Sequence, residues 1–328
     1  MKVLITREIP QAGIKILQKY PQLELDYRHD KPLSRDDLMR AVKGAAAILA
    51  VIPDTIDKDI LKSAGSDLKL VAHYAVGYDN IDVAAATQMG VYVSNTPGDL
   101  TESVAEFALA LMLAVGKHVV ESDKFVRHGD YKYWDPLLFL GPKFMGKTLG
   151  IVGFGRIGQS FARMAKNGLG MKIVFVDTKE CEELQKELGC QKVTMDYLLE
   201  NSDVVSIHCN LTDESRGMIG EREFKKMKPT AYLINTSRGA IIDEAALATA
   251  LKEGWIEGAG LDVFEKEPEV YPDLLALDNV VITPHIASAT WEARDEMGRL
   301  AVEAILQTLR GEKPSTIVNP EVWDKRRT

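Results

Sequence analysis

The stretch TLGIVGFGRIG, residues 148–158, decides the fold of this chain of 328 residues. Its first five residues form a continuous apolar run, which predicts a strand covered on both faces of a sheet. Three glycines follow, and a helical pattern runs on to about Asn167. The first glycine suits a tight turn, the second allows the backbone to approach a pyrophosphate closely, and the third allows the helix to pack closely on the strand. We therefore predict a dinucleotide site at the N-terminus of that helix, with binding residues Gly153, Gly155, Arg156, Ile157 and Gly158.

The next predicted strand, Lys172 to Val176, ends at an acidic residue. Asp177 lies 19 residues after Gly158, where a carboxylate is expected to accept hydrogen bonds from the adenosine ribose. The same carboxylate would repel a 2′-phosphate, so we expect the cofactor to be NAD rather than NADP. Lys179 would partly offset that repulsion.

Short β-branched runs alternate with helical stretches along the whole chain. This rhythm is typical of parallel sheets wound with crossover helices, and it predicts an α/β fold. The runs predicted as strands are Val3 to Ile5, Ala46 to Val51, Leu70 to His73, Val91 to Ser94, Thr148 to Val152, Ile173 to Val176, Val204 to His208, Leu233 to Asn235, Ala259 to Val263 and Val280 to Thr283.

The length exceeds what one compact domain usually holds, so we expect two domains. The turn cluster Asn95 to Gly98 precedes a long apolar helical stretch, Thr101 to Val115, which suggests a crossing between them. The last helical stretch, about Ala289 to Leu309, is expected to return to the first domain. This predicts a discontinuous domain of residues 1–97 and 290–328 around a domain of residues 98–289.

Composition argues against several classes of protein. The formal net charge is −8, from 40 Lys and Arg against 48 Asp and Glu, and no basic patch suggests a nucleic-acid partner. The N-terminus lacks the pattern of a secretory signal, and apolar runs such as Phe107 to Val115 are shorter than the roughly 20 residues that cross a bilayer. We expect a cytoplasmic protein without a membrane span. Three cysteines without C-x-x-C spacing fit a reducing compartment, and no cluster has metal-ligand spacing, so no metal is expected.

Five segments besides the glycine loop match one known family, namely Val76 to Asp82, Asn95 to Pro97, Asn235 to Gly239, Gly260 to Pro268 and Thr283 to Ser288. On these residues the chain resembles the D-isomer-specific 2-hydroxyacid dehydrogenases. The resemblance implies two doubly wound parallel-sheet domains, a Rossmann-type cofactor domain inserted in a flavodoxin-like substrate domain. It also implies hydride transfer between NAD(H) and a small 2-oxo acid or D-2-hydroxy acid. Residues 135–141 look most like glyoxylate/hydroxypyruvate (D-glycerate) reductases.

Three side chains fit the chemistry of 2-oxo acid reduction. The substrate needs a cation that orients its carboxylate and polarises its ketone, and Arg238 offers a planar bidentate fork. The developing alkoxide needs a proton donor, and His285 can cycle a proton near neutral pH. A carboxylate beside the histidine would favour its protonated form. Glu267 is predicted for this role over the nearby Glu265, because of its spacing from Asp262, and the resemblance assigns the same three roles.

Further site residues come from the resemblance alone. It implies that Asp262 and the backbone near Thr236 hold the nicotinamide amide. It also implies that the N–H groups of Val76 and Gly77 bind the substrate, together with Arg238. Val51, Ile52 and Pro53 would shape a small apolar pocket wall. For Trp134, Leu138 and Phe139 two roles stay open, a pocket completed by the partner subunit of a homodimer or core packing.

Two alternative functions remain open, and two others are disfavoured. An NAD-sensing corepressor shares the fold, and the chain lacks an added interaction tail for it. Phosphite oxidation on a similar chain is a second alternative. A formate dehydrogenase would carry glutamine in place of Glu267, and a longer phosphoglycerate dehydrogenase would carry a regulatory domain. Asn210 stands where the family commonly has proline, which predicts a slightly different loop near the cofactor.

Overall fold

The computed structural model describes residues 1–28, 31–98 and 100–327. The chain divides into two compact units, one of Met1–Leu100 with Ala289–Thr328 and one of Thr101–Ser288. Each unit contains one parallel sheet with helices wound around it.

The first unit holds a five-stranded sheet in the order β2-β1-β3-β4-β5. This is the flavodoxin-like doubly wound order, in which ligands bind beyond the carboxyl ends of the strands. Its strands are β1 (Lys2–Ile5), β2 (Glu24–Tyr27), β3 (Ala45–Ala50), β4 (Leu70–His73) and β5 (Tyr92–Ser94), and its first four helices are α1 (Gln11–Leu17), α2 (Arg35–Ala41), α3 (Lys58–Ala64) and α4 (Val83–Gln88).

The second unit holds a seven-stranded sheet in the order β12-β11-β10-β9-β6-β7-β8. The order reverses between β6 and β9, as in the Rossmann fold, so the glycine loop after β6 lies at the switch point. The strands are β6 (Thr148–Val152), β7 (Lys172–Val176), β8 (Gln191–Lys192), β9 (Val204–Ile207), β10 (Tyr232–Asn235), β11 (Gly258–Leu261) and β12 (Val280–Ile282). The helices are α5 (Leu100–Gly116), α6 (Val119–Arg127), α7 (Arg156–Leu169), α8 (Glu182–Leu188), α9 (Met195–Asn201), α10 (Glu221–Phe224), α11 (Glu244–Lys252) and α12 (Pro272–Leu275).

The last long helix, α13 (Trp291–Leu309), packs on α1 in the first unit. Thr290 caps it by accepting a hydrogen bond from the N–H of Ala293 at 3.2 Å. The two helices touch at two glycines, since a Cβ on Gly13 would lie 2.7 Å from the carbonyl oxygen of Gly298. This close approach anchors the C-terminal part of the chain to the first unit. A 3₁₀ helix, Pro320–Lys325, follows.

The structure also bears on membrane and metal binding. In the three described ranges, no single helix is both long enough and apolar enough to span a bilayer. The pair α5 and α6 meets that criterion only when joined, and it bends by 59° at the break. The same residues contain no group of three or more His, Cys, Asp or Glu side chains placed to hold a metal ion.

Candidate active site

The glycine loop joins β6 to α7, and packing explains two of its glycines. Gly153 has φ +91°, and a Cβ there would lie 2.4 Å from the backbone nitrogen of Cys209. A Cβ on Gly158 would lie 2.4 Å from the carbonyl oxygen of Gly153. Any larger residue at either position would push β6, α7 and the segment after β9 apart.

Gly155 has a different environment from the other two glycines. A Cβ built on it would meet no atom within 4 Å, so its backbone faces open space directly before α7. The first N–H groups of a helix and its dipole favour an anion at this end. Arg156 and Ile157 are the first two residues of α7. The residues present therefore fit the pyrophosphate of a dinucleotide.

Asp177 lies beside this loop, at the end of β7. Its Oδ2 accepts a hydrogen bond from the N–H of Phe154 at 2.6 Å, and its Oδ1 accepts one from the N–H of Lys179 at 2.8 Å. The carboxylate is thus fixed to the glycine loop. Each oxygen has a further lone pair with which it can accept a hydrogen bond from a ribose hydroxyl.

The turn after β10 presents Thr236 and Arg238. The buried Asn235 side chain shapes it by accepting from the N–H of Ser237 at 3.0 Å and donating to the carbonyl of Arg238 at 2.9 Å. Arg238 Nη1 donates to the carbonyl of Ser237 at 2.8 Å. The Thr236 hydroxyl is buried and has no hydrogen-bond partner in the described chain. Burying a polar group unpaired is costly, so this hydroxyl suits a cofactor contact.

The loop that carries Glu267 crosses directly over the residue next to Arg238. A Cβ on Gly239 would lie 1.9 Å from the carbonyl carbon of Phe264, so only glycine fits under the loop. Glu267 Oε1 accepts from the N–H of Phe264 at 3.0 Å, and its Oε2 lies 2.7 Å from Nδ1 of His285. The structure therefore brings Arg238, Glu267 and His285 to one place.

The pKa of Glu267 indicates which partner donates in the hydrogen bond between His285 and Glu267. Burial by itself would raise the pKa of Glu267, but the hydrogen bond and charge of His285, with help from Arg238, hold that pKa below its ordinary value. Glu267 is thus ionised at neutral pH and can only accept, so Nδ1 carries the hydrogen. Glu267, not Glu265, is the carboxylate bonded to this histidine.

Asp262 holds the turn on which His285 sits. Its Oδ1 accepts from the N–H of Ile286 at 2.9 Å and from the Thr283 hydroxyl at 2.6 Å, and its Oδ2 accepts from the N–H of Ala287 at 2.7 Å. His285 has φ +55°, a left-handed conformation that costs a non-glycine residue about 1–3 kcal/mol. The Asp262 bonds on both sides stabilise it. The sequence did not indicate this role, and the nicotinamide contact of Asp262 stays a prediction.

The other predicted substrate residues lie in the first unit. Val51 follows β3 and Val76 lies after the neighbouring strand β4, so both are at the carboxyl edge of that sheet. The Ala75 carbonyl accepts from the N–H of Thr96 at 2.9 Å, and the Val76 carbonyl accepts from the Asn95 side chain at 2.8 Å. In a trans peptide C=O and N–H point in opposite directions. The N–H groups of Val76 and Gly77 therefore point away from residues 95 and 96, an arrangement suited to an anion.

Asp54 is a residue that the sequence analysis missed. Its carboxylate is buried and accepts from the N–H of Val51 at 3.0 Å and from the Thr6 hydroxyl. Burial raises its pKa, while these two bonds oppose that rise. The signal was an acid shortly after a predicted strand, which alone is typical of an ordinary turn.

Comparisons with known proteins place this geometry in a family. A family model described as D-isomer specific 2-hydroxyacid dehydrogenase, NAD binding domain, matches residues 109–287. The glyoxylate reductase of Thermococcus litoralis is 50% identical over 98% of this chain and 97% of its own length.

Solved structures agree with the family match. A crystal structure of a protein from Thermus thermophilus has a TM-score of 0.91 and 39% identity, covering 97% of this chain and all of that one. An NADPH-dependent glyoxylate/hydroxypyruvate reductase from Sinorhizobium meliloti has a TM-score of 0.82 and 29% identity, covering 100% of this chain and 99% of that one. The chain belongs to the D-isomer specific 2-hydroxyacid dehydrogenase family.

Proposed function

We propose that this chain reduces glyoxylate or hydroxypyruvate with NADH, and that it oxidises the D-hydroxy acid in the reverse reaction. The observation that carries the proposal is the 2.7 Å contact between His285 and Glu267, with Arg238 beside the Glu267 loop. We assign cofactor binding to the unit of residues 101–288 and substrate recognition to the unit of residues 1–100 and 289–328. The names of the relatives support the choice of substrates.

In this proposal, the substrate is oriented by cations and N–H groups. Arg238 binds the substrate carboxylate through its planar fork and polarises the ketone. The N–H groups of Val76 and Gly77 donate hydrogen bonds to an anionic group of the substrate. Val51 shapes the apolar wall of the substrate pocket. Thr236 and Asp262 each make a polar contact with the nicotinamide carboxamide, and these two contacts position that end of the cofactor.

Proton transfer then follows from the geometry of His285. When bound, the nicotinamide supplies the hydride that reduces the ketone carbon. His285 donates the proton to the ketone oxygen from Nε2, because Nδ1 is bonded to Glu267. Glu267 stays ionised and balances the imidazolium charge until the proton leaves. Oxidation of the hydroxy acid needs neutral His285, which takes the proton back.

A direct assay tests the function. NADH consumption is measured with glyoxylate, hydroxypyruvate and pyruvate, and NAD reduction is measured with phosphite. We expect glyoxylate or hydroxypyruvate to give the highest kcat/KM. Activity with phosphite alone would support the phosphite alternative instead, and cofactor binding without turnover of any substrate would support a corepressor-like binding protein.

We further propose NAD over NADP, on the position of Asp177 beside the glycine loop. Asp177→Ala removes an acceptor for the ribose and a charge that repels the 2′-phosphate. The ratio of kcat/KM for NADH to that for NADPH should fall about 10-fold or more, since a charged hydrogen bond is worth about 1.5–3 kcal/mol. Glu180→Ala is the matched control, because Glu180 is a nearby acid bonded to Lys192 instead. An unchanged ratio in Asp177→Ala would refute the assignment.

We also propose that the chain forms a homodimer through the segment of residues 129–146. Phe139 packs edge-on against Phe125 in α6 with ring centroids 5.5 Å apart, and the Leu140 carbonyl lies 3.2 Å from His118 Nε2. The segment is thus held in place. Yet Tyr133, Trp134 and Leu137 are 74–75% exposed, and a group of large exposed apolar side chains of this kind marks an interaction surface. A second copy would cover this surface.

We also propose a cytoplasmic location. The three free cysteines support it, because unpaired cysteines suit a reducing compartment.

Charge on this surface should separate the subunits. We expect Trp134→Glu combined with Leu137→Glu to convert a particle of twice the chain mass into one of single chain mass, because an interface cannot bury two unpaired carboxylates. Light scattering after gel filtration measures the mass. Tyr197→Glu, at an exposed aromatic residue of α9, is the matched control and should stay dimeric. A dimeric double variant would place the interface elsewhere.

A further inference from the structure

The loop that carries Glu267 is held by two carboxylates. Its consecutive N–H groups at Phe264 and Glu265 each donate to an acid: Phe264 donates to Glu267 at 3.0 Å, and Glu265 donates to Glu244 at 2.7 Å. The first bond closes the loop on itself. The second ties the loop to the N-terminus of α11. The peptide between them lies against Gly239, so it is fixed from two sides.

Glu244 is unusually buried for an acid at the start of a helix. It is the first residue of α11 and only 9% exposed. The helix does not need it as a cap, because Asp243 already accepts from the N–H of Ala246 at 3.0 Å. Burial raises the pKa of Glu244, and the charges of Glu265 and Glu267 add to that rise. A buried acid at this position carries an electrostatic cost, which the hydrogen bond from the loop N–H of Glu265 partly offsets.

We propose that Glu244 is a positioning residue for Glu267, acting by fixing the Glu265 N–H so that the Glu267 carboxylate stays against His285. The inference rests on the proposed catalytic roles of Glu267 and His285. The charged groups that face Glu244 are Glu265, Lys266 and Glu267, with Asp243 adjacent in the chain. Glu267 also faces Arg238, and His285 also faces Asp262.

A matched pair of variants tests the role of the acceptor. Glu244→Gln keeps the shape and an oxygen that can accept from Glu265, whereas Glu244→Met keeps the volume and loses the acceptor. Glu244→Ala is a second variant without an acceptor, in case the methionine variant does not fold. Asp243→Ala loosens the start of α11 without touching the loop bond, and so it controls for a purely structural effect.

Two readouts are measured for each folded variant. The first is the pH at which kcat/KM for glyoxylate reduction falls by half on the alkaline side. The second is the pH midpoint of the His285 imidazole signals in NMR, identified by comparison with His285→Gln, and it needs neither cofactor nor substrate. In Glu244→Met we expect both to move to lower pH by about 0.5 unit or more, because a less well placed carboxylate favours the imidazolium less. Glu244→Gln should restore at least half of that displacement.

The outcomes separate the inference from the proposed function. Coincident profiles of Glu244→Met and wild type, or an equal displacement in Asp243→Ala, would overturn the positioning role. So would a Glu244→Gln variant that behaves like Glu244→Met. If the wild-type protein reduces no 2-oxo acid, the proposed function fails, and the NMR titration still decides whether Glu244 places Glu267 against His285.

Discussion

We expect His285→Gln to lower kcat/KM for glyoxylate reduction by about 10²–10⁴-fold, the range that a positioned general acid contributes. Glutamine can still form a hydrogen bond to Glu267, so the loop should keep its place. It cannot deliver a proton to the alkoxide that forms as hydride arrives. Stopped-flow or steady-state measurement of NADH consumption gives the ratio directly.

The pH dependence gives the same prediction a second test. Reduction needs the imidazolium, so kcat/KM should fall as pH rises and His285 loses its proton. In Glu267→Gln the negative partner is gone and the imidazolium is less favoured, so this fall should move to lower pH. Oxidation of the hydroxy acid needs neutral His285, so its acid-side limb should move in the same direction.

A matched histidine variant controls for general effects. His128→Gln changes an exposed histidine at the end of α6 and should behave as wild type. A His285→Gln variant within about tenfold of wild type would remove this residue as the general acid. Coincident pH profiles for Glu267→Gln and wild type would show that the carboxylate does not tune the donor.

The sequence predicted the two sheets because their central strands are continuous apolar runs. A strand such as β3 is buried along its whole length, so apolar and polar residues need not alternate in it. Such a strand is recognised by its apolar composition alone. The two strands that the sequence missed are β2 and β8, and both lie at sheet edges. Glu24–Tyr27 is half-exposed and β8 has only two residues, so neither shows the apolar run that marks a covered strand.

The residues of the site were likewise predicted in part. The glycine loop between β6 and α7 was predicted correctly, because an apolar strand, three spaced glycines and a helical pattern follow one another directly in the sequence. The roles of Asp54, Asp262 and Glu244 toward backbone N–H groups were not predicted. Asp262 and Glu244 bind amides of other segments, at Ala287, 25 residues away, and at Glu265, 21 residues away. Asp54 binds the nearby amide of Val51, and its distant partner is the Thr6 hydroxyl. No spacing rule marks such bonds, since a buried acid in a turn looks like any other acid in sequence.

The second large effect concerns Arg238. Arg238→Lys keeps the positive charge but loses the planar fork that engages a carboxylate through two parallel bonds. We expect kcat/KM for glyoxylate to fall by about 10²-fold, since a charge-assisted bond is worth about 1.5–3 kcal/mol and each 1.36 kcal/mol is tenfold in rate. KM should rise because the fork binds the substrate carboxylate in the ground state, and kcat should drop because the fork also polarises the ketone more strongly in the transition state.

The pH profile separates orientation by Arg238 from its electrostatic effect. Arg238 helps to hold the pKa of Glu267 low, and lysine preserves that charge. The alkaline fall of reduction should therefore stay at the same pH in Arg238→Lys while the rate drops at every pH. Arg216→Lys, at an exposed arginine of the same unit, is the matched control and should leave both parameters unchanged. If KM and kcat of Arg238→Lys stay within a factor of about two of wild type, the fork does not bind the substrate, and a bare positive charge at this position is sufficient for the reaction.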